Sequence, residues 1–260
     1  MGSVIIFAYV VATASFGVAW IVYILRRNPA VVDLWWPLAI LSVGVMFVYT
    51  GASTGNYRMI FLVLLLLWGG RLASYLLIAR IIPNHRDSRY EAMAARAKRN
   101  VHVRFLFIYL FQAVLATLVS MALVGLFFAG GVIDLMFIGG VICYGIGMVG
   151  EIISDRQLNA FKRSASSQGI TGAVCRVGLW KYSRHPNLFF EWIVWIGFAM
   201  LSTNAAYGLW AWVSPIVLLI VMLRLSIPLA EQESIKSRGD AFRDYQRSVS
   251  AFIPIPRKLF

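Results

Sequence analysis

Seven apolar runs divide this chain, and they constrain its fold more than any other feature. A helix needs roughly 20 apolar residues to cross a hydrocarbon core about 30 Å thick. The runs that reach or approach this length are residues 4–25, 34–53, 58–80, 104–128, 131–153, 188–204 and 206–228. Hydrophobic residues make up 60% of the chain and charged residues only 13%. No β-barrel alternation is visible, so we predict an all-α fold, a polytopic membrane protein built as a seven-transmembrane-helix bundle.

The same runs predict one membrane-embedded domain over residues 1–260, with a cytoplasmic tail at 229–260. The sixth run is short, and the fifth keeps helical character beyond the membrane, from Ser154 to Arg163. Taken alone, the tail segment 240–256 is typical of a membrane-surface anchor, because it is amphipathic and then extended at its prolines.

Basic residues follow the first, third, fifth and seventh runs, whereas the loops on the other side hold Arg58 and almost no other cation. By the positive-inside rule, the amino terminus lies outside and the carboxyl terminus in the cytoplasm. The net charge of +13 therefore lies on one face, where topology and attraction to anionic membrane lipids explain most of it. No fold or aromatic platform for nucleic acid accompanies this charge, so we expect no nucleic-acid partner.

Charged residues inside membrane spans are rare and usually functional. Six stand in or beside the runs: Asp33, Arg71, Glu151, Asp155, Glu191 and Arg224. One interpretation is a network of internal ion pairs, such as Arg71 with Asp33 or Arg224 with Glu191. The other is a polar cavity open to the cytoplasm, because most of the six lie toward that half of their spans. Asp134, near the outer end of the fifth run, is assigned an interfacial position without function.

Two cytoplasmic segments concentrate hydrogen-bond donors. Residues 178–191 place five polar side chains directly before an apolar run: Lys181, Tyr182, Arg184, His185 and Asn187. Residues 84–91 include Arg89 and Tyr90, and clustered arginines bind phosphate through the guanidinium fork. The most economical partner for so many donors at a span boundary is an anionic cofactor. No metal site is predicted, and nucleotide-binding or hydrolase motifs are missing from the sequence.

These motifs together resemble the steroid 5α-reductase-like superfamily, and most closely its bacterial branch of DUF1295 membrane proteins. The resemblance runs through residues 32–36, 68–72, 86–90, 155–162, 178–191 and 244–254. It implies an NADPH-dependent oxidoreductase acting on CH–CH groups, similar to the 3-oxo-5α-steroid 4-dehydrogenases. Such an enzyme reduces a carbon–carbon double bond conjugated to a carbonyl in a steroid-like or other lipid substrate. It also implies that NADPH binds in a cavity facing the cytoplasm.

The resemblance also assigns residues to the cofactor. It places Asp155, Lys162, Arg176, Tyr182, Arg184, His185, Asn187 and Glu191 at or near cofactor positions. Arg71 and Tyr75 match an arginine and a tyrosine that contact the cofactor in steroid reductases, and Arg89 matches a phosphate contact. The predicted cofactor-binding set is completed by Tyr90, Glu151 and Arg224.

The catalytic side departs from the family pattern. Steroid reductases pair a glutamate on the second span with a tyrosine on the third, and the corresponding residues here are Asp33 and Trp68. An indole donates a hydrogen bond but is not a practical proton donor. Tyr75, seven residues after Trp68, lies on the same helix face and offers a hydroxyl. The predicted catalytic residues are therefore Asp33, Trp68 and Tyr75.

Two further functions stay open. The Arg184-His185-Pro186 segment, with Glu231 and Glu233, fits an S-adenosylmethionine-dependent membrane methyltransferase of the isoprenylcysteine type. A non-catalytic membrane protein that binds lipid or haem is the other. The charge pattern suits a bacterial inner membrane and an endoplasmic reticulum equally, and the bacterial branch favours the former. The sequence leaves the oligomeric state open.

Overall fold

The computed structural model describes residues 1–83, 90, 93 and 100–256. Its main helices are α1 (Gly2–Arg26), α2 (Val31–Thr50), α3 (Gly55–Ile81), α4 (Val101–Phe127), α5 (Leu135–Ser167), α6 (Pro186–Ser202), α7 (Gly208–Arg238) and α8 (Asp240–Ser248). A 3₁₀ turn, Gly178–Lys181, lies between α5 and α6. Within the described ranges, the extended pairing consists of one isolated bridge between Ser183 and Ser250. The all-helical prediction is therefore confirmed.

Six of these helices are long and apolar enough to cross a membrane, namely α1 to α5 and α7. The remaining apolar helix, α6, has 17 residues. At 1.5 Å per residue it is about 25 Å long, shorter than a hydrocarbon core of about 30 Å. The count of seven spans is therefore not confirmed. The helical character expected from Ser154 to Arg163 is confirmed, since α5 runs without a break to Ser167.

The chain divides into two compact units, the first made of residues 1–137 and 201–214. Small residues on α1, including Ala8, Ala12 and Ala19, are fully buried and allow close helix packing. The Phe16 ring on the same face meets Tyr109 of α4 edge-on, with centroids 6.4 Å apart. The tryptophan predicted to be catalytic, Trp68, is also fully buried in this unit.

Local hydrogen bonds determine where helices begin in this unit. The Ala30 N–H donates to the side-chain oxygen of Asn28 at 3.0 Å, and the Tyr109 hydroxyl donates to the Pro29 carbonyl at 3.2 Å. These bonds fix the turn before α2 and place Asp33 in its first turn, where the helix dipole favours a carboxylate. Asp134 caps the start of α5 by accepting the Phe137 N–H at 2.9 Å. The structure thus gives it the role of a helix cap.

The second unit comprises residues 138–200 and 215–260, and glycines set the packing of α5 on α6. A Cβ on Gly197 would lie 2.7 Å from the Tyr144 backbone nitrogen and 2.8 Å from the Gly140 carbonyl oxygen. A Cβ on Gly147 would meet the Val194 nitrogen at 2.7 Å. Backbone thus touches backbone at two points along the crossing, an approach that only glycine permits.

The carboxyl-terminal tail folds back onto the second unit. Phe242, Tyr245 and Val249 of its amphipathic face are buried and pack against Val174 and Ile235. The expectation of a membrane-surface anchor is thus corrected, because this apolar face is covered by the protein itself. The amphipathic pattern reports the face correctly, but it carries no information about which apolar surface covers that face.

Candidate functional site

Arg184 stands at the centre of a hydrogen-bonded cluster in the second unit. Its guanidinium donates to both carboxylate oxygens of Glu231, with N–O distances of 2.6 and 3.2 Å, and also to the backbone carbonyls of Gln246 and Val249. The side-chain amide of Gln246 donates to Glu231 at 2.6 Å, and a ring nitrogen of His185 lies 3.1 Å from the same carboxylate. We call these four side chains the Arg184 cluster. Two of the predicted cofactor residues, Arg184 and His185, are therefore held by an internal carboxylate.

The tail is joined to the 178–185 segment by backbone bonds as well. The Arg184 N–H donates to the Ser250 carbonyl at 2.8 Å, and the Ile255 N–H donates to the Tyr182 carbonyl at 3.2 Å. The buried Ser183 hydroxyl donates to the Phe252 carbonyl at 2.7 Å. These bonds attach residues 178–185, which we call the basic segment, to the tail.

The basic segment is also attached to α5. The Trp180 indole donates to the Ser154 carbonyl at 3.0 Å, and the Leu179 N–H donates to the Gln157 side-chain oxygen at 2.9 Å. From the tail, the Tyr245 hydroxyl donates to the Trp180 carbonyl at 2.5 Å. Burial raises the pKa of the Tyr245 hydroxyl well above its usual range, so it stays a donor at physiological pH.

Arg176 precedes this segment, and Tyr182 lies within it. The Arg176 guanidinium stacks over the Tyr245 ring at 5.4 Å from its centroid and donates to the Ala241 carbonyl at 3.1 Å. The Tyr182 side chain is exposed. Cys175, the residue before Arg176, is a buried free thiol, and burial raises its pKa.

Two buried carboxylates lie on one face of α5, beside the attachment points of the basic segment. Glu151 is 5% exposed and Asp155 8% exposed, and they stand one helical turn apart. Lys162 follows on the same face, seven residues beyond Asp155, and is exposed. This arrangement agrees with the sequence prediction that Glu151 and Asp155 share a face.

The remaining predicted residues of this unit lie on α6 and α7. Asn187 and Glu191 are half-buried and one turn apart on α6, and Glu191 accepts the indole N–H of the buried Trp195 at 2.8 Å. Arg224 is exposed in a π-helical turn, Met222–Ser226. Such turns are frequent at functional sites, but this one also accommodates Pro228, which has no N–H to donate.

The first unit contains its own polar cluster around Asp33. One carboxylate oxygen of Asp33 forms an ion pair with Arg80, and the other accepts the Tyr90 hydroxyl at 3.0 Å. Arg80 lies in the π-helical last turn of α3, Leu77–Ile81. Tyr90, predicted to bind cofactor, here orients the predicted catalytic carboxylate. The ion-pair interpretation proposed Arg71 for Asp33, and the partner that the structure gives is Arg80.

The other predicted residues of this unit lie on α3, except Arg89, which falls outside the described residues. Trp68 is fully buried, so its indole belongs to the helix core. Arg71 and Tyr75 are half-buried, one turn apart and on the same face. Their roles stay predictions.

Sequence reasoning did not assign Arg80, Tyr245 or Gln246 to a site. Arg80 is the last residue of the third apolar run, so the rule that charged residues within spans are usually functional applies to it as well. Tyr245 stands three residues from Phe242 and four from Val249, the spacing of a buried helix face. Gln246 carries no comparable signal, because its only distinction is the carboxylate it contacts.

Comparisons with known proteins give one result. A family model matches residues 19–249, and its description is "Protein of unknown function (DUF1295)". The matched range includes all of α2 to α8 and therefore both polar clusters. No match was found among the curated proteins or among the solved structures.

Proposed function

Because the chain belongs to the DUF1295 family and its motifs resemble the steroid reductase superfamily, we propose that it is an NADPH-dependent membrane reductase. Its substrate would be a carbon–carbon double bond conjugated to a carbonyl in a steroid-like or other lipid. A membrane-embedded enzyme suits such a substrate, since an apolar lipid reaches it through the bilayer.

The observation that carries the proposal is the pair of buried carboxylates on α5. Glu151 and Asp155 are each less than a tenth exposed, in a helix apolar enough to span a membrane. Charged residues in such a helix are rare and usually functional. Ribose hydroxyls and a carboxamide supply N–H and O–H donors that match two carboxylates.

Three donor side chains of the same unit suit the anionic part of the same ligand. In our proposal Arg176, Lys162 and Tyr182 bind the phosphates, and Asn187 with Glu191 holds the carboxamide. Arg184 and His185 act as positioning residues, because the Arg184 cluster already engages both side chains. The donor set present on this unit thus fits NADPH, which supplies hydride when bound.

The protein's own part of the reaction is to stabilise the oxygen that gains charge as hydride reaches the β-carbon. A proton then adds to the α-carbon, and the double bond becomes single. We assign the oxygen contact to the Tyr75 hydroxyl, because a carboxylate only accepts hydrogen bonds and the Trp68 indole is buried in the helix core. Asp33 is then a positioning residue, whose carboxylate orients the Arg80 guanidinium and accepts the Tyr90 hydroxyl.

Ligand binding by purified protein in detergent tests the proposal. We expect NADPH to raise the melting temperature, and Asp155→Asn or Glu151→Gln to weaken NADPH binding about tenfold or more, the value of one charged hydrogen bond. Asp240→Asn, which changes an exposed carboxylate on α8, is the matched control and should bind normally.

Parallel titrations separate the alternatives. S-adenosylmethionine, added to the same preparation, should leave the melting temperature unchanged. A shift with that ligand and none with NADPH would favour the methyltransferase, and no shift with either would favour the non-catalytic protein. Either result would overturn the reductase proposal.

A further inference from the structure

A groove of about 550 Å³ lies on the side of α5 opposite its buried carboxylates. Ile146, Val149 and Ile153 form one wall, and Phe190 of α6 forms another. The three α5 side chains are exposed, although they stand in the apolar part of a helix that is long enough to span a membrane. Side chains of this kind face lipid in a bilayer.

A wall closes one end of the groove where α5 leaves its apolar stretch. Gly178 and Leu179 of the 3₁₀ turn form this wall together with Gln157, whose side chain accepts the Leu179 N–H. Gly178 has φ +53°, and a Cβ there would lie 2.1 Å from the Gln157 amide nitrogen. The wall is therefore closely packed, and the groove ends at the 3₁₀ turn.

Two exposed cations stand within two residues of Gln157 and Leu179 in the chain. Arg156 is exposed and lies seven residues after Val149, on the same stripe of α5. Lys181 is exposed and stands three residues after Gly178, and side chains three apart eclipse in a 3₁₀ helix. The nearest carboxylates along α5, Glu151 and Asp155, point to the opposite side of the helix.

An occupant of this groove must be apolar along its length and anionic at one end. We propose that the groove binds one acyl chain of an anionic phospholipid from the cytoplasmic leaflet, with the lipid phosphate held between Arg156 and Lys181. The charge distribution identifies the leaflet, because basic loops lie on the cytoplasmic side. A cation near the membrane surface attracts an anionic lipid more strongly than a zwitterionic lipid. The inference does not depend on the proposed reductase activity.

Filling the groove tests the site directly. Gly145 lines it, and a Cβ at this position meets no atom within 4 Å, so Gly145→Phe should fold and occupy the groove. Gly70→Phe on α3 is the matched control, because a Cβ there also meets nothing within 4 Å. We expect Gly145→Phe to weaken binding of dioleoyl phosphatidylglycerol about tenfold or more, measured by native mass spectrometry of the detergent-solubilised protein. Equal binding by the two variants would overturn the proposal.

Removing the cations tests the headgroup. Arg156→Gln combined with Lys181→Gln should reduce the preference for phosphatidylglycerol over phosphatidylcholine about tenfold. Lys236→Gln combined with Arg247→Gln, two exposed cations away from the groove, should keep that preference. An unchanged preference in the first double variant would contradict the assignment. Tighter binding of oleate than of phosphatidylglycerol by the unaltered protein would also contradict it, because a free fatty acid would then be the occupant.

Discussion

The ion pair between Arg184 and Glu231 should be among the strongest single interactions in the second unit. Both side chains are only 11% exposed, and the contact is bidentate. Breaking a buried ion pair by removing one partner typically costs about 3–5 kcal/mol. We expect the lower end, about 3 kcal/mol, for Glu231→Gln, because Arg184 keeps two backbone carbonyls and glutamine keeps one acceptor oxygen.

A double-mutant cycle isolates the pair from the rest of the cluster. Glu231→Gln, Arg184→Gln and the double variant would be unfolded in mixed micelles, with intrinsic tryptophan fluorescence reporting the free energy of unfolding. We expect a coupling energy of about 1.5–3 kcal/mol, the upper part of the range measured for residues in contact. The exposed pair Arg243–Asp240 on α8 is the control, and its coupling should stay below about 0.5 kcal/mol. A coupling for Arg184–Glu231 no larger than that of the control would refute the reasoning.

The remaining predictions each depend on a local contact or on burial. Gly197→Ala forces a Cβ against backbone and should lower the free energy of unfolding by about 1–3 kcal/mol, whereas Gly17→Ala, whose Cβ meets nothing, should raise it slightly. Tyr245→Phe removes the hydrogen bond from the Tyr245 hydroxyl to the Trp180 carbonyl in the 3₁₀ turn. In a protein whose other cysteine, Cys143, is replaced by serine, this change should speed alkylation of Cys175. No change in the alkylation rate would contradict the packing. Because the thiolate reacts and burial raises the thiol pKa, the rate in the unaltered protein should keep rising at alkaline pH where an exposed cysteine levels off. Asp33→Asn breaks a partly exposed ion pair and should lower the free energy of unfolding by only about 0.5–1 kcal/mol. The variant should keep NADPH binding but lose at least tenfold in turnover. Unaltered turnover would remove Asp33 from catalysis.

The helices could be predicted from the sequence because hydrophobic length alone specifies them. Their starts could not, and α2 shows why. The apolar run begins at residue 34, but the helix begins at Val31, because the side chain of Asn28 and the hydroxyl of Tyr109 fix the preceding turn. Hydropathy along the chain cannot reveal such a contact, since Tyr109 lies 80 residues from Pro29.

The candidate site could likewise be predicted only in part from the sequence. The charges themselves were visible in the sequence, because charged residues within apolar runs are conspicuous. Their partners were not, since Asp33 pairs with a residue 47 positions away, and Arg184 pairs with Glu231 across the same separation. One sequence gives no information on which cation meets which anion. For this reason Arg184 and His185 resembled ligand contacts, although the folded chain supplies an internal carboxylate for both.

The helix α5 carries two different surfaces, so a substitution on one surface should leave ligand binding at the other unchanged. Glu151 and Asp155 lie on one side, and the groove lined by Gly145 and Val149 lies on the other. With side chains, an α-helix is about 10–12 Å across, the separation at which mutational effects usually add. We therefore expect Gly145→Phe to change lipid binding without changing NADPH affinity, and Asp155→Asn to do the reverse. If both variants changed both ligands, the two surfaces would be coupled through α5, and the assignment of separate sites would have to be abandoned.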